Sequence, residues 1–273
     1  MRIALKVGYI GTNYHGFQIQ PDVRTIEGEL FGSLKKLDLF KVPREANYIA
    51  SGRTDKGVHA LCQVIAFDTN SPQLAIPGAI NSCLQPSIWT WARAQVPDHF
   101  DPRRDARYRE YMYILSGKID ISRLNGAPGL IEGEHDFSNF ITPEKERNSS
   151  TNVFDLNIRA VGEFTIINIR ADHFLWHMVR KIATALEMIG SGKRDISWLE
   201  KMLLPSEFHE ALEPAPAYGL VLKNVEYTDI DWKEDAYARK KALRNLEDGF
   251  LWHSVMAQML KELRKNMSGK NMT

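Results

Sequence analysis

The chain has 273 residues, 44% of them apolar and 25% charged, and a formal net charge of +1. These proportions belong to a soluble globular protein long enough for two domains. Because the net charge is close to zero, any affinity for nucleic acid must come from local basic clusters. No apolar run reaches the length of a membrane span. The opening segment Met1–Ile10 is interrupted by Lys6 and reads as a strand, not a signal peptide. Cys62 and Cys83 are too few and too far apart for a disulfide framework or a zinc site, and are expected as small buried thiols in a reducing cytoplasm.

In chain order the first half reads strand, helix, strand, strand, helix, strand. After the opening strand and a Gly-rich loop over 11–21, Thr25 offers an N-cap, and Ile26, Leu30, Leu34 and Leu37 recur at helical spacing. Residues 46–50 and 61–67 alternate as strands, Pro77 starts a short helix through Leu84, and 88–96 form the next strand. The second half opens with an alternating strand over 107–115. Residues 133–140 read as a loop entering a short helix, and 153–161 and 163–171 as two strands around Gly162. A long helix is expected from Phe174 to Gly190, then a short one capped by Asp195, then a strand over 219–225. The reading is α+β, with two related subdomains (1–105 and 106–231) whose antiparallel sheets join edge to edge, helices on one side and a cleft between them. Residues 232–273 form a helical extension. Its segment 233–273 carries nine Lys/Arg against five Asp/Glu, with helices expected over 236–247 and 250–265 broken at Asp248-Gly249, and disorder over 266–273.

The most informative run is Ser51-Gly52-Arg53-Thr54-Asp55-Lys56-Gly57-Val58-His59. Two glycines let the backbone turn tightly and present Arg53 and Asp55 on a loop between two strands, a usual address for a catalytic group. A carboxylate can serve as a covalent nucleophile when a guanidinium keeps it ionised. Arg53 is close in sequence but need not face Asp55. Arg180, set among large apolar residues, is either a snorkelling surface side chain or a deliberate partner for it.

His173 and His177 have the i, i+4 spacing of a zinc pair on a helix, but no Glu lies between them and no third ligand is placed, so packed or surface histidines are the better reading. Tyr108, Tyr111 and Tyr113, interleaved with Arg107 and Arg109 and preceded by Arg103 and Arg104, form either a base-stacking platform with basic flanks or ordinary sheet packing. Neither GxxxxGK[ST] nor GxGxxG occurs, which argues against ATP or a dinucleotide.

Six segments in order carry a resemblance: Tyr14–Gln20, Gly52–Ala60, Arg109–Tyr113, Gly133–Phe137, Phe174–Arg180 and Ala215–Leu222. Together, spanning roughly residues 1–228, they resemble the tRNA pseudouridine synthase A family. The resemblance implies Asp55 as nucleophile, Tyr111 stacked on the target uracil and able to help move a proton, and Arg180 paired with Asp55. It also implies substrate contacts from Arg53, Arg109 and Leu220, no metal and no cofactor. The implied substrate is the anticodon arm of tRNA at uridines 38, 39 and 40, and the implied assembly a cytoplasmic homodimer without membrane contact. Three places depart from the family pattern: Met112 stands where an arginine is common, Asn139-Phe140-Ile141 lacks the arginine often found after the His-Asp-Phe match, and Thr184 replaces a common glycine. A catalytically silent RNA-binding protein is the rival reading. A glycosidase-like hydrolase would need a second carboxylate, for which Glu134 and Asp136 are the candidates.

Overall fold

The chain is described by a computed structural model over residues 1–117, 119–143 and 148–268. Its backbone is a mixed α+β arrangement built on one large sheet. The strands are β1 (Arg2–Tyr9), β2 (Ile49–Ala50), β3 (His59–Asp68), β4 (Ile88–Gln95), β5 (Tyr108–Ser116), β6 (Gly133–Asp136), β7 (Ser150–Val161), β8 (Phe164–Ala171), β9 (Leu220–Glu226) and β10 (Lys233–Glu234). The helices are α1 (Ile26–Lys36), α2 (Pro77–Asn81), α3 (Ala127–Ile131), α4 (Met178–Gly190), α5 (Ile196–Met202) and α6 (Ala236–Met267). The sheet runs β10-β4-β1-β3-β9-β5-β8-β7-β6, with β2 paired to β3 off this path. Both ends of the sheet are short strands, which limits the exposed backbone edge.

Local chemistry accounts for the element starts. The Thr25 side chain accepts the Gly28 N–H at the head of α1, and Asp195 accepts the Trp198 N–H at the head of α5. In α4, Met178, Ile182, Ala185, Leu186 and Ile189 are at most 1% exposed. Burial of that stripe, at about 1.5–3 kcal/mol for each large side chain, holds the helix to the sheet. The buried side chains form two groups. One gathers Ile3, Leu5, Leu30, Leu34, Val64 and Phe67. The other gathers Phe137, Phe140, Ile167, Met178, Ile182 and Leu199. Tyr111 packs against both.

Strand β9 is central to the site. It pairs in parallel with β3 (His59 with Val221, Ala60 with Leu222) and antiparallel with β5 (Tyr111 with Leu222, Tyr113 with Leu220). A strand read from the second half of the chain thus lies against a strand of the first, and brings the end of the Asp55 loop beside Tyr111.

Four expectations are corrected. Helix α4 starts at Met178, not Phe174, because His177 takes a left-handed conformation (φ 64°, ψ 0°) that no helix interior accepts. Gly133–Asp136 is a strand paired with β7, and only Ser138–Phe140 makes a single 3₁₀ turn. Helix α6 runs unbroken through Asp248-Gly249; an exposed glycine costs a helix only about 1 kcal/mol, which good helix formers on both sides offset. Cys62 is buried, but Cys83 is only half-buried. Of the segment 266–273, Asn266 and Met267 are helical and 269–273 lie outside the described residues.

Candidate active site

The loop between β2 and β3 presents Asp55, and its backbone is fixed from several directions. Gln63 donates to the Gly52 carbonyl at 2.8 Å and hydrogen-bonds the Ser51 hydroxyl. The Thr54 carbonyl accepts the Phe17 N–H at 3.0 Å, and the Thr54 and Tyr9 hydroxyls lie 2.8 Å apart in the core. Gly16 (φ 97°) leans on this turn so closely that an added Cβ would stand 3.0 Å from the Thr54 carbonyl oxygen. Of the two glycines in the run, only Gly57 (φ 82°) uses the left-handed region. Beyond it, His59 is clamped: Nδ1 accepts the Gly11 N–H at 3.0 Å, so Nε2 carries the proton toward the Tyr218 carbonyl at 3.2 Å. Burial pushes the His59 pKa down, which keeps that neutral form.

The Asp55 carboxylate is about a third exposed (32%) and meets two cations or potential cations through one oxygen. Arg180 Nη1 donates to Oδ2 at 3.1 Å, and His177 Nε2 lies 3.4 Å from the same atom. Arg180 is held in turn by its Nε, which donates to the Ala215 carbonyl at 2.6 Å. It is a partner for Asp55 and not a snorkelling surface residue.

Tyr111 stands in the field of Asp55. Burial, with a smaller contribution from the Asp55 charge and Arg109 opposing, pushes its phenol up to about 12, so it is a neutral donor at ordinary pH. Its ring meets the edge of Phe174, with centroids 5.0 Å apart and planes at 84°. The other two tyrosines are otherwise engaged. Tyr113 is buried and donates to the Pro216 carbonyl at 2.7 Å, and Tyr108 lies under the Arg170 guanidinium at 5.2 Å.

The remaining sequence candidates fall into distinct places. Arg53 is exposed beside Asp55 on the loop. Leu220 is buried opposite Tyr113 on β9. Arg109 donates to three main-chain carbonyls, those of Asp172, Ser51 and Arg103, at 2.8, 3.1 and 2.6 Å. It is a brace between the Asp55 loop and β5.

His173 and His177 diverge, the first toward Asp172 and Thr151 and the second toward Asp55 and Thr142. Among the described residues no group of three His, Cys, Asp or Glu side chains is placed to hold a metal ion. Asp136 accepts the Ser138 N–H and hydroxyl as a local turn cap, and Glu134 is exposed. Asn139, one of the departures, is a structural residue: its amide donates to the Met202 and Phe208 carbonyls and accepts the Glu210 N–H. Sequence reasoning weighed His177 only as a zinc ligand or a packed histidine and missed its place beside Asp55, and it missed Tyr9 altogether. The only signal for the first was its place inside the Phe174–Arg180 match, directly before Met178, and for the second there was none.

A profile of a family described as tRNA pseudouridine synthase matches residues 129–228. Proteins called tRNA pseudouridine synthase A are similar along nearly the whole chain. That of Methanosarcina mazei is 51% identical over 265 residues, covering 96% of this chain and 98% of the relative. That of Methanococcoides burtonii is 51% identical over 265 residues, covering 96% of each. That of Archaeoglobus fulgidus is 40% identical over 268 residues, covering 97% and 98%.

Proposed function

The chain belongs to the tRNA pseudouridine synthase A family, isomerases of tRNA, and on that premise we propose that it converts uridines 38, 39 and 40 of the anticodon arm to pseudouridine with Asp55 as nucleophile. The observation that carries this reading is the Asp55–Arg180 contact at 3.1 Å, with the carboxylate a third exposed and the Tyr111 phenol in its field.

The reaction breaks the N1–C1′ bond and forms a C5–C1′ bond; the C5 proton leaves and N1 gains one. Nothing is oxidised or added. A carboxylate oxygen at ribose C1′ or at uracil C6 serves equally to detach and hold the base or sugar while the uracil turns. Arg180 aims the Asp55 carboxylate through the contact to Oδ2. The target base must leave its stack at a cost of a few kcal/mol. Tyr111 supports it by stacking, and its hydroxyl, neutral at ordinary pH, helps move a proton. Arg53, free of the core on the same loop, holds the extruded nucleotide, and Leu220 lines the uracil pocket. Arg109 contributes by holding the loop on β5. No residue of this scheme calls for a metal or cofactor.

The same reading takes residues 1–105 and 106–231 as related halves with the cleft between them, supported by the two apolar groups that meet at Tyr111. It places the protein in the cytoplasm; no helix among the described residues is long and apolar enough to cross a membrane. It takes the working unit as a homodimer sharing the tRNA. The distal half of α6 supports this: Phe250, Leu251, Trp252, Val255, Leu260 and Leu263 are all more than half exposed. Glu247 and Asp248 precede that stripe while Lys261 and Arg264 end it, so two copies laid antiparallel match opposite charges. Tritium release from tRNA labelled at uracil C5 tests the activity, and carbodiimide treatment followed by sequencing reads the sites. Release that is unchanged in Asp55→Asn removes Asp55 from its role.

A further inference from the structure

His177 touches Asp55 at the oxygen that Arg180 already occupies. Its Nε2 is 3.4 Å from Oδ2, and among the described residues no bond reaches Oδ1. The Nδ1 atom and the Thr142 hydroxyl lie 2.9 Å apart, and a carboxylate only accepts, so the tautomer that suits both neighbours has the proton on Nε2 and Nδ1 accepting from Thr142. The imidazole has little freedom to leave this pose. Its residue sits at φ 64° immediately before α4, and histidine is among the few side chains that enter that region readily. Segment 141–142 is stitched to it by the Thr142 N–H on the Trp176 carbonyl at 3.0 Å and by Lys181 Nζ on the Ile141 carbonyl at 2.7 Å. The Trp176 ring covers it at 4.7 Å. His177 and Arg180 are 19% and 13% exposed against 32% for Asp55, so the carboxylate is walled on its partnered side and open on the other.

We infer that His177 is a positioning residue for the proposed nucleophile: as a neutral Nε2–H donor, oriented by Thr142, it shares Oδ2 with Arg180 and leaves Oδ1 as the oxygen presented to substrate. The inference rests on Asp55 being the nucleophile. The groups facing the imidazole are Asp55 from the loop, Arg180 and Lys181 from α4, Glu213 from the segment before β9, and the Thr142 hydroxyl. Burial lowers the His177 pKa, with Arg180 and Lys181 adding to that and Asp55 and Glu213 opposing, so the donor stays neutral near pH 7. Protonation would set a second full positive charge on the same oxygen and draw electron density from the carboxylate.

The test is the single-turnover rate of tritium release from C5-labelled tRNA, with full-length protein in excess, across pH 5–8. His177→Leu is expected to lose about 10²-fold in rate, the scale of a misplaced reacting group, with tRNA Kd unchanged. His177→Gln keeps an N–H donor and should recover most of that rate. Wild type should lose rate on the acid side with a midpoint below the ordinary histidine value of about 6.5. That limb should be missing in His177→Gln. Thr142→Val, isosteric and safe for folding, should cost about fivefold, the worth of one hydrogen bond. Wild-type rates in both His177→Leu and Thr142→Val, with Asp55→Asn inactive, overturn the inference and leave Asp55 in place. Activity in Asp55→Asn overturns both.

Discussion

Arg180 and Asp55 lie 125 residues apart in sequence and meet at 3.1 Å, with the same guanidinium donating through Nε to the Ala215 carbonyl. One planar fork therefore spans a helix, the Asp55 loop and the segment entering β9. A lysine can supply the charge but not both bonds. Arg180→Ala should lower the single-turnover rate by about 10²-fold through loss of aim. It should also destabilise the fold by about 1–2 kcal/mol, less than for a sealed ion pair because solvent reaches the stranded carboxylate. Arg180→Lys should restore most of the stability and little of the rate. Thermal melts and tritium release measure the two effects separately. A variant that melts and reacts like wild type means the contact does no work.

Tyr9 anchors the same loop from beneath. Its hydroxyl shares a hydrogen bond with Thr54 at 2.8 Å, and both residues are buried. Tyr9→Phe leaves the Thr54 hydroxyl without that partner, at a cost of about 1–3 kcal/mol for a buried polar group. Urea denaturation should show a lower midpoint at unchanged m-value. The rate should fall by less than in Arg180→Ala, because Asp55 keeps its guanidinium. An unchanged midpoint would mean that Thr54 finds another partner.

How much of this was readable beforehand depends on the range of the interaction. The Thr25 and Asp195 caps, the alternation of β3 to β5 and the apolar stripe of α4 are local, and each stands in the sequence as a spacing. The Asp55–Arg180 meeting was half legible: a charged side chain within an apolar stretch either snorkels or is paired, and only the family resemblance chose the pair. What the partner of His177 would be was not legible, since Thr142 is 35 residues away and the left-handed φ that aims the ring has no spacing of its own. The run from Phe174 to His177 therefore reads as helix when it is the turn before one. The role of Asn139 was hidden for the same reason, because its three partners come from the segment around α5. Gly249 misled in the opposite direction: as a helix breaker its cost is real but small, and nothing around exposed α6 adds to it.

Tyr111 should leave a mark on alkaline stability. Its phenol titrates at 10.0 when unperturbed and at about 12 in the folded chain. Between those values the unfolded chain has lost the proton while the folded one keeps it. The contribution is thus fully present below pH 10 and is lost as pH rises toward 12. Urea denaturation at pH 9, 10.5 and 11.5 should show stability falling more steeply for wild type than for Tyr111→Phe. Parallel curves would mean the phenol is not shielded. In single turnover at pH 7, Tyr111→Phe keeps the ring and its contact with Phe174, so a large rate loss assigns the hydroxyl to proton transfer and a small one assigns the ring to stacking alone.

The distal half of α6 predicts the assembly. Apolar side chains of this size on one projecting helix are costly to leave in water, and burying one large side chain contributes about 1.5–3 kcal/mol. Trp252 and Leu260 lie on the exposed stripe, 59% exposed each. The double variant Trp252→Asp, Leu260→Asp should therefore keep the melting temperature of the folded body at high dilution, and change the light-scattering mass from that of two chains to that of one. If the dimer shares one tRNA between its protomers, the variant should also bind tRNA more weakly while the chemical step on bound tRNA stays near the wild-type rate. A wild-type chain that scatters as a monomer, or a double variant that remains dimeric, removes α6 as the joining surface.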